Sequence, residues 1–119
     1  MRPHLYILDD KGEPVALPVS TGVIGGDDES FLKWGELIRS ESRRVASETI
    51  DGLFVSTVFL GVDHGWGDGP AILWETMIFA DKANDGHPLD KEQMRCSGSR
   101  EQALAMHQKM VEKVRSYKP

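Results

Sequence analysis

Val55-Ser56-Thr57-Val58-Phe59-Leu60-Gly61-Val62-Asp63-His64 is the stretch whose reading decides the fold. It is apolar on both faces until it stops at an acid and an imidazole. That pattern predicts a central strand delivering two polar side chains to the rim of a sheet. Just upstream, Asp51-Gly52 separates two β-like runs, residues 43–50 and 53–62. Both central residues of a type I′ turn need positive φ, so this dipeptide signals a two-residue hairpin. The turn pairs Ile50 with Leu53, Glu48 with Val55 and Ala46 with Thr57. The first strand is polar and exposed on much of its surface; the second is expected to be buried on both faces.

Downstream, residues 63–70 form a glycine-rich connection, and 71–79 return as the next strand, broken in polarity only by Glu75-Thr76. With Val62 opposite Ala71, Glu75 stands on the same face as Val58 and Leu60, and a one-residue slip moves it to the other face. A polar loop holding His87-Pro88 leads to a short strand at 92–96. Ser99 and Gln102 have capping-box spacing, which predicts a helix to about Ser116. Ala103, Met106, Met110 and Val114 make its apolar stripe, with Leu104, His107 and Val111 beside it. Near the start, residues 4–9 and 15–19 read as a hairpin whose Pro14 and Pro18 place it at an edge. After a loop at 22–26, Asp27 or Asp28 offers an N-cap. Phe31, Trp34, Leu37 and Ile38 then recur at helical spacing. The expected fold is α+β: an antiparallel meander of four to six strands, a C-terminal helix on one face, and a short helix near 28–40.

With 119 residues the chain is read as one domain, 1–119, long enough to bury a core. Hydrophobic content of 39% and charged content of 28% are ordinary for a soluble domain. A net charge of −5 argues against long nucleic acid as a partner, because backbone binding needs a basic field. The local cluster Arg39, Arg43 and Arg44 is compatible with a small anion. A lone cysteine, Cys96, excludes an internal disulfide and fits a reducing compartment. No signal-like segment opens the chain and no apolar run spans a bilayer. A cytoplasmic location without membrane contact is the expectation.

Asp63 and His64 end the central strand where glycine permits close approach of a ligand. They read either as a binding pair, or as a turn cap with an exposed imidazole beside it. Trp66, in the same loop, stacks on a base or anchors a second subunit, or else folds over the sheet edge. Glu75 needs a partner, since an unpaired carboxylate in a core strand costs several kcal/mol. An ion pair with Arg95, a hydrogen bond to His107 and a role toward a ligand all satisfy that need. His107 faces inward, as a satisfied core histidine or as part of a His–Glu–Arg cluster in a pocket. Asp63, His64, Asp68 and Glu75 match no metal signature, so no metal or cofactor is expected. Cys96 has no adjacent base, Gly-x-Ser-x-Gly is missing, and Gly25-Gly26 lacks the strand and lysine of a phosphate loop.

A hairpin leading into Val55–Gly61 and Asp63-His64 is followed by Glu75-Thr76-Met77 with Phe79, then Arg95, then a helix with Ala103 and His107. In that order, across residues 43–114 and roughly three fifths of the chain, the sequence resembles a family of small phage and prophage-encoded proteins. Similar proteins carry an aromatic where Cys96 stands, a Thr-like helix start in place of Gly98-Ser99, and Phe-Gly-Gly in place of Phe79-Ala80-Asp81. No stacking role is therefore expected at position 96. The resemblance implies a context, not a reaction. In that context the expected function is an accessory protein that binds a small ligand, sequestering a host nucleotide signal without catalysis. Asp63, His64, Trp66, Glu75, Arg95 and His107 are the expected ligand-binding set, in a homo-oligomer. Two alternatives stand beside it: a metal-assisted hydrolase using Asp63, His64 and Glu75, and an interaction module that blocks a host protein through Trp66, Trp34 and the sheet edge. Binding is favoured over catalysis because no nucleophile–base spacing is visible.

Overall fold

A computed structural model describes residues 5–17, 28–63 and 69–118. Its centre is a four-stranded antiparallel meander of β3 (Arg44–Ile50), β4 (Leu53–Phe59), β5 (Ile72–Ala80) and β6 (Gln93–Ser97), in that spatial order. The hairpin register is the one that Asp51-Gly52 imposes: Ile50 pairs with Leu53, Glu48 with Val55, and Ala46 with Thr57. Asp51 at φ 51° and Gly52 at φ 82° both occupy the left-handed region. A Cβ at position 52 would also run into the Asn84 side-chain amide, so the turn needs glycine for space as well as conformation. Val58 pairs with Glu75, as expected from Val62 opposite Ala71.

The C-terminal helix α2 (Arg100–Ser116) begins at a complete capping box. Ser99 N–H donates to Gln102 Oε1 at 2.9 Å, and Gln102 N–H donates to Ser99 Oγ at 3.3 Å. The helix lies on one face of the meander and buries Ala103, Met106, His107, Met110, Val111 and Val114. Alternation directs Leu53, Val55, Thr57 and Phe59 of β4 and Trp74, Thr76 and Ile78 of β5 toward it, and all seven are buried. Each large apolar side chain so enclosed contributes about 1.5–3 kcal/mol. Trp74 packs edge-on against Phe59 at 5.1 Å, and its indole N–H donates to the Gly98 carbonyl at 2.9 Å. Leu104 departs from the expected stripe, being 40% exposed although it shares a helical angle with Val111 two turns on. The two differ in what lies beneath them.

Other boundaries differ from expectation, β5 and β6 by one residue at each end. The first hairpin, β1 (Tyr6–Leu8) with β2 (Pro14–Ala16), is a separate two-stranded sheet, not an edge of the meander. It joins the larger sheet only through the Leu5–Val62 bridge and a hydrogen bond from Tyr6 N–H to the Gly61 carbonyl. Pro14 opens β2 because a residue without an N–H is tolerated at a strand start. The central strand stops at Phe59, three residues short of the expected 62, because Gly61 turns away at φ 74°. A Cβ there would collide with Ile38 of α1 (Asp28–Arg39), and the Trp34 indole N–H donates to the Gly61 carbonyl at 2.9 Å. Arg43 belongs to a 3-10 turn preceding β3. Asp28 is the first residue of α1, and Asp27 lies outside the described residues. No helix among the described residues is long and apolar enough to cross a membrane.

Candidate functional site

Thr57 and Thr76 are the two hydroxyls on the core face of β4 and β5, opposite one another and fully buried. A buried hydroxyl must find a partner or cost about 1–3 kcal/mol. Their oxygens lie 2.6 Å apart, and Thr57 Oγ1 is also 2.7 Å from Nδ1 of His107, which reaches down from α2. On the other side of the ring, Nε2 lies 3.0 Å from Glu48 Oε2 on β3. Bonding capacity assigns the protons for a neutral imidazole. Nε2–H donates to the Glu48 carboxylate, Nδ1 accepts from Thr57 O–H, and the Thr57 oxygen accepts from Thr76 O–H. The order hydroxyl, imidazole, carboxylate is that of an activated nucleophile. Here it has no access to substrate: Thr57 is 0% and His107 2% exposed, and only the Glu48 carboxylate reaches solvent. Both ring nitrogens are engaged by protein groups.

Glu75 stands on the opposite face of the sheet from this network. Its carboxylate accepts a 2.7 Å charge-assisted hydrogen bond from Arg95 Nε on the paired position of β6. The sheet thus separates Glu75 and Arg95 from His107. Of the readings left open by the sequence, the Glu75–Arg95 ion pair and the satisfied core histidine are found, and the His–Glu–Arg cluster does not form. Asp63, half-buried just past the bridge at Val62, accepts the Ile72 N–H at 2.9 Å and so ties together the two ends of the glycine-rich connection. His64, Trp66 and Asp68 lie outside the described residues. Among the described residues, no three His, Cys, Asp or Glu side chains converge in a way that could hold a metal ion.

A groove of about 450 Å³ opens elsewhere, where the β1–β2 turn meets the start of α2. Its lining includes Leu8 and Leu37, the acids Asp9 and Asp10, and the cations Lys11 and Arg100. Asp9 Oδ1 shapes the turn by accepting the N–H groups of Lys11 and Glu13, each at 2.9 Å. Glu13 Oε1 in turn accepts the Arg100 N–H at 2.8 Å, which locks the turn onto the first residue of α2. The Arg100 side chain lies over Gly12, and its guanidinium meets no carboxylate among the described residues. A volume in this range suits a small ligand.

No family model, curated protein or solved structure matches the chain. Sequence reading did not single out Glu48, Thr57 and Thr76 as partners of His107, although two signals pointed that way. The hairpin register sets Glu48 and Thr57 on one face, and a threonine among Leu53, Val55 and Phe59 requires a hydrogen-bonding partner. Arg100 carried no such signal, because the turn that it faces lies far away in sequence.

Proposed function

We propose that this protein binds a small anionic ligand of the nucleotide class at the groove between the β1–β2 turn and α2, without transforming it. One observation carries the reading: the guanidinium of Arg100, which meets no carboxylate among the described residues, on the wall of a groove that also offers the apolar side chains Leu8 and Leu37. A guanidinium suits phosphate oxygens through paired, charge-assisted hydrogen bonds. Leu8 and Leu37 supply apolar surface for a flat ring, and the Asp10 carboxylate is an acceptor for sugar hydroxyls. Binding without turnover is supported by the burial of Thr57 and His107, which leaves the one hydroxyl–imidazole–carboxylate series on the described residues out of reach. The biological setting follows from the resemblance of residues 43–114: a phage-type accessory protein that sequesters a host nucleotide signal.

Calorimetric titration with mono-, di- and cyclic nucleotides, and with inorganic phosphate, tests the reading. The expected result is saturable nucleotide binding that weakens about tenfold or more in Arg100→Gln, or about 1.4 kcal/mol. The ligand should be recovered chemically unchanged after denaturation. A converted product, an unaffected Arg100→Gln, or no heat with any member of the panel would each remove it.

A further inference from the structure

The face of the meander turned away from α2 is built from three cross-strand rows. The middle row runs Ser47, Ser56, Met77, Gln93 from β3 to β6. Toward the hairpin turn lie Phe54 and Phe79, directly paired, with Phe79 43% exposed. Toward the other end Arg44 pairs with Val58, Val58 with Glu75, and Glu75 with Arg95. The Arg44 guanidinium sits 5.6 Å from the centre of the Phe54 ring, which confirms that it shares this face in spite of the bulge after it. An antiparallel sheet with one solvated face normally turns polar residues outward. Beside its polar residues this outer face carries Phe54, Val58 and Met77, all partly buried, and the exposed Phe79.

From this arrangement we infer that the outer sheet face is the contact surface for a second copy of the same chain. The middle row is complementary to itself. A two-fold axis parallel to the strands, between β4 and β5, sets β4 over β5 and β3 over β6 of the second copy. Met77 then comes over Ser56 and Gln93 over Ser47, large side chains over small ones, while Phe54 meets Phe79. The same axis sets Arg44 opposite Arg95 of the second copy, across the gap of about 10 Å between stacked sheets. Glu75 of that copy is offset from Arg44 by one strand spacing, about 4.8 Å, so that its carboxylate is shared between the two guanidinium groups.

Charge also favours this occupant. A chain carrying −5 repels its own copies in general. On this face the charges are balanced locally, Arg44 by Glu41 at 2.9 Å and Arg95 by Glu75 at 2.7 Å. In extent, four strands of about seven residues cover roughly 450 Å² in projection. Two such faces give about 900 Å² before side-chain relief is counted, near the lower bound of roughly 1,000 Å² for a specific interface.

Sedimentation equilibrium at tens of micromolar tests the inference. The native chain should sediment at twice its 13.3 kDa mass. The Met77→Glu/Phe79→Glu double variant should sediment at the single-chain mass with an unchanged far-UV circular dichroism spectrum. A native chain of single mass over that range, or a dimer that survives the double variant, overturns it. Should the double variant lose its spectrum, a second measurement decides. In a Cys96→Ser background with Ser47→Cys and Gln93→Cys, a bismaleimide spanning about 10 Å, the usual distance between stacked sheets, should give a covalent dimer. Absence of that dimer overturns the inference equally.

Discussion

His107 and Thr57, fifty residues apart in sequence, are joined by a 2.7 Å hydrogen bond in the closed space between α2 and the sheet. This bond anchors the helix to the central strand through a polar contact inside an otherwise apolar layer. Around it, Met110, Val111 and Val114 pack against Leu53, Val55 and Ile78, while Ala103 and Met106 pack against Phe59 and Trp74. Between these two apolar clusters the network Glu48–His107–Thr57–Thr76 fixes where along the sheet the helix docks. Every buried side-chain polar atom among the described residues has a partner.

Thr57→Val removes the central hydroxyl and strands both His107 Nδ1 and the Thr76 hydroxyl. We expect a loss of about 1–3 kcal/mol, read from urea unfolding monitored by tryptophan fluorescence. Adding Thr76→Val should cost less than the sum of the two single changes, because the second removes a group already left unsatisfied. Strict additivity would show that the two hydroxyls do not act together.

Gly52→Ala meets two obstacles at once, a positive φ and the Asn84 side chain. A cost of about 1–3 kcal/mol is expected. Asp51→Asn, at a position where asparagine tolerates the left-handed conformation, should stay within about 0.5 kcal/mol of the parent. Thermal unfolding of the two variants side by side gives the comparison.

Arg95→Met tests the ion pair on the outer face. Because the Arg95 side chain is 41% exposed, solvent screening holds its contribution to about 0–1 kcal/mol. The effect should shrink as salt is raised from about 0.05 to 1 M, where the screening length falls to about 3 Å. A salt-independent loss of several kcal/mol would mean that the pair is far more enclosed than its exposure indicates.

Burial pushes the Cys96 thiol pKa up, since desolvation disfavours the thiolate. The folded value then exceeds the unfolded one, so the folded state holds the proton more tightly. The associated stability is present below the ordinary thiol range and is lost as pH rises through the folded value. Iodoacetamide should accordingly alkylate the native chain more slowly than the urea-unfolded chain at pH 8, with the native rate rising at higher pH. Equal rates in the two states would contradict this.

The local chemistry of the chain determined much of this architecture. Asp51-Gly52 set the β3–β4 turn and its register, because few dipeptides accept two positive φ angles in succession. Ser99 and Gln102 set the start of α2, because their side chains satisfy N–H groups that no helical carbonyl reaches. The β4–β5 register, by contrast, was left open by the long glycine-rich connection, and the tertiary structure set Glu75 beside Val58. The turn and the capping box are short-range constraints, and they operate wherever the rest of the chain goes. Only tertiary structure decided which polar side chains share a space. Whether α2 covers the face with Thr57 or the face with Glu75 depends on the total apolar surface that each offers, a sum over many residues rather than a property of any one. That choice gave His107 to Glu48 and Thr57 and left Glu75 to Arg95. The pairing of Arg100 with the β1–β2 turn has the same origin, since no periodicity links residues 9–13 to residue 100.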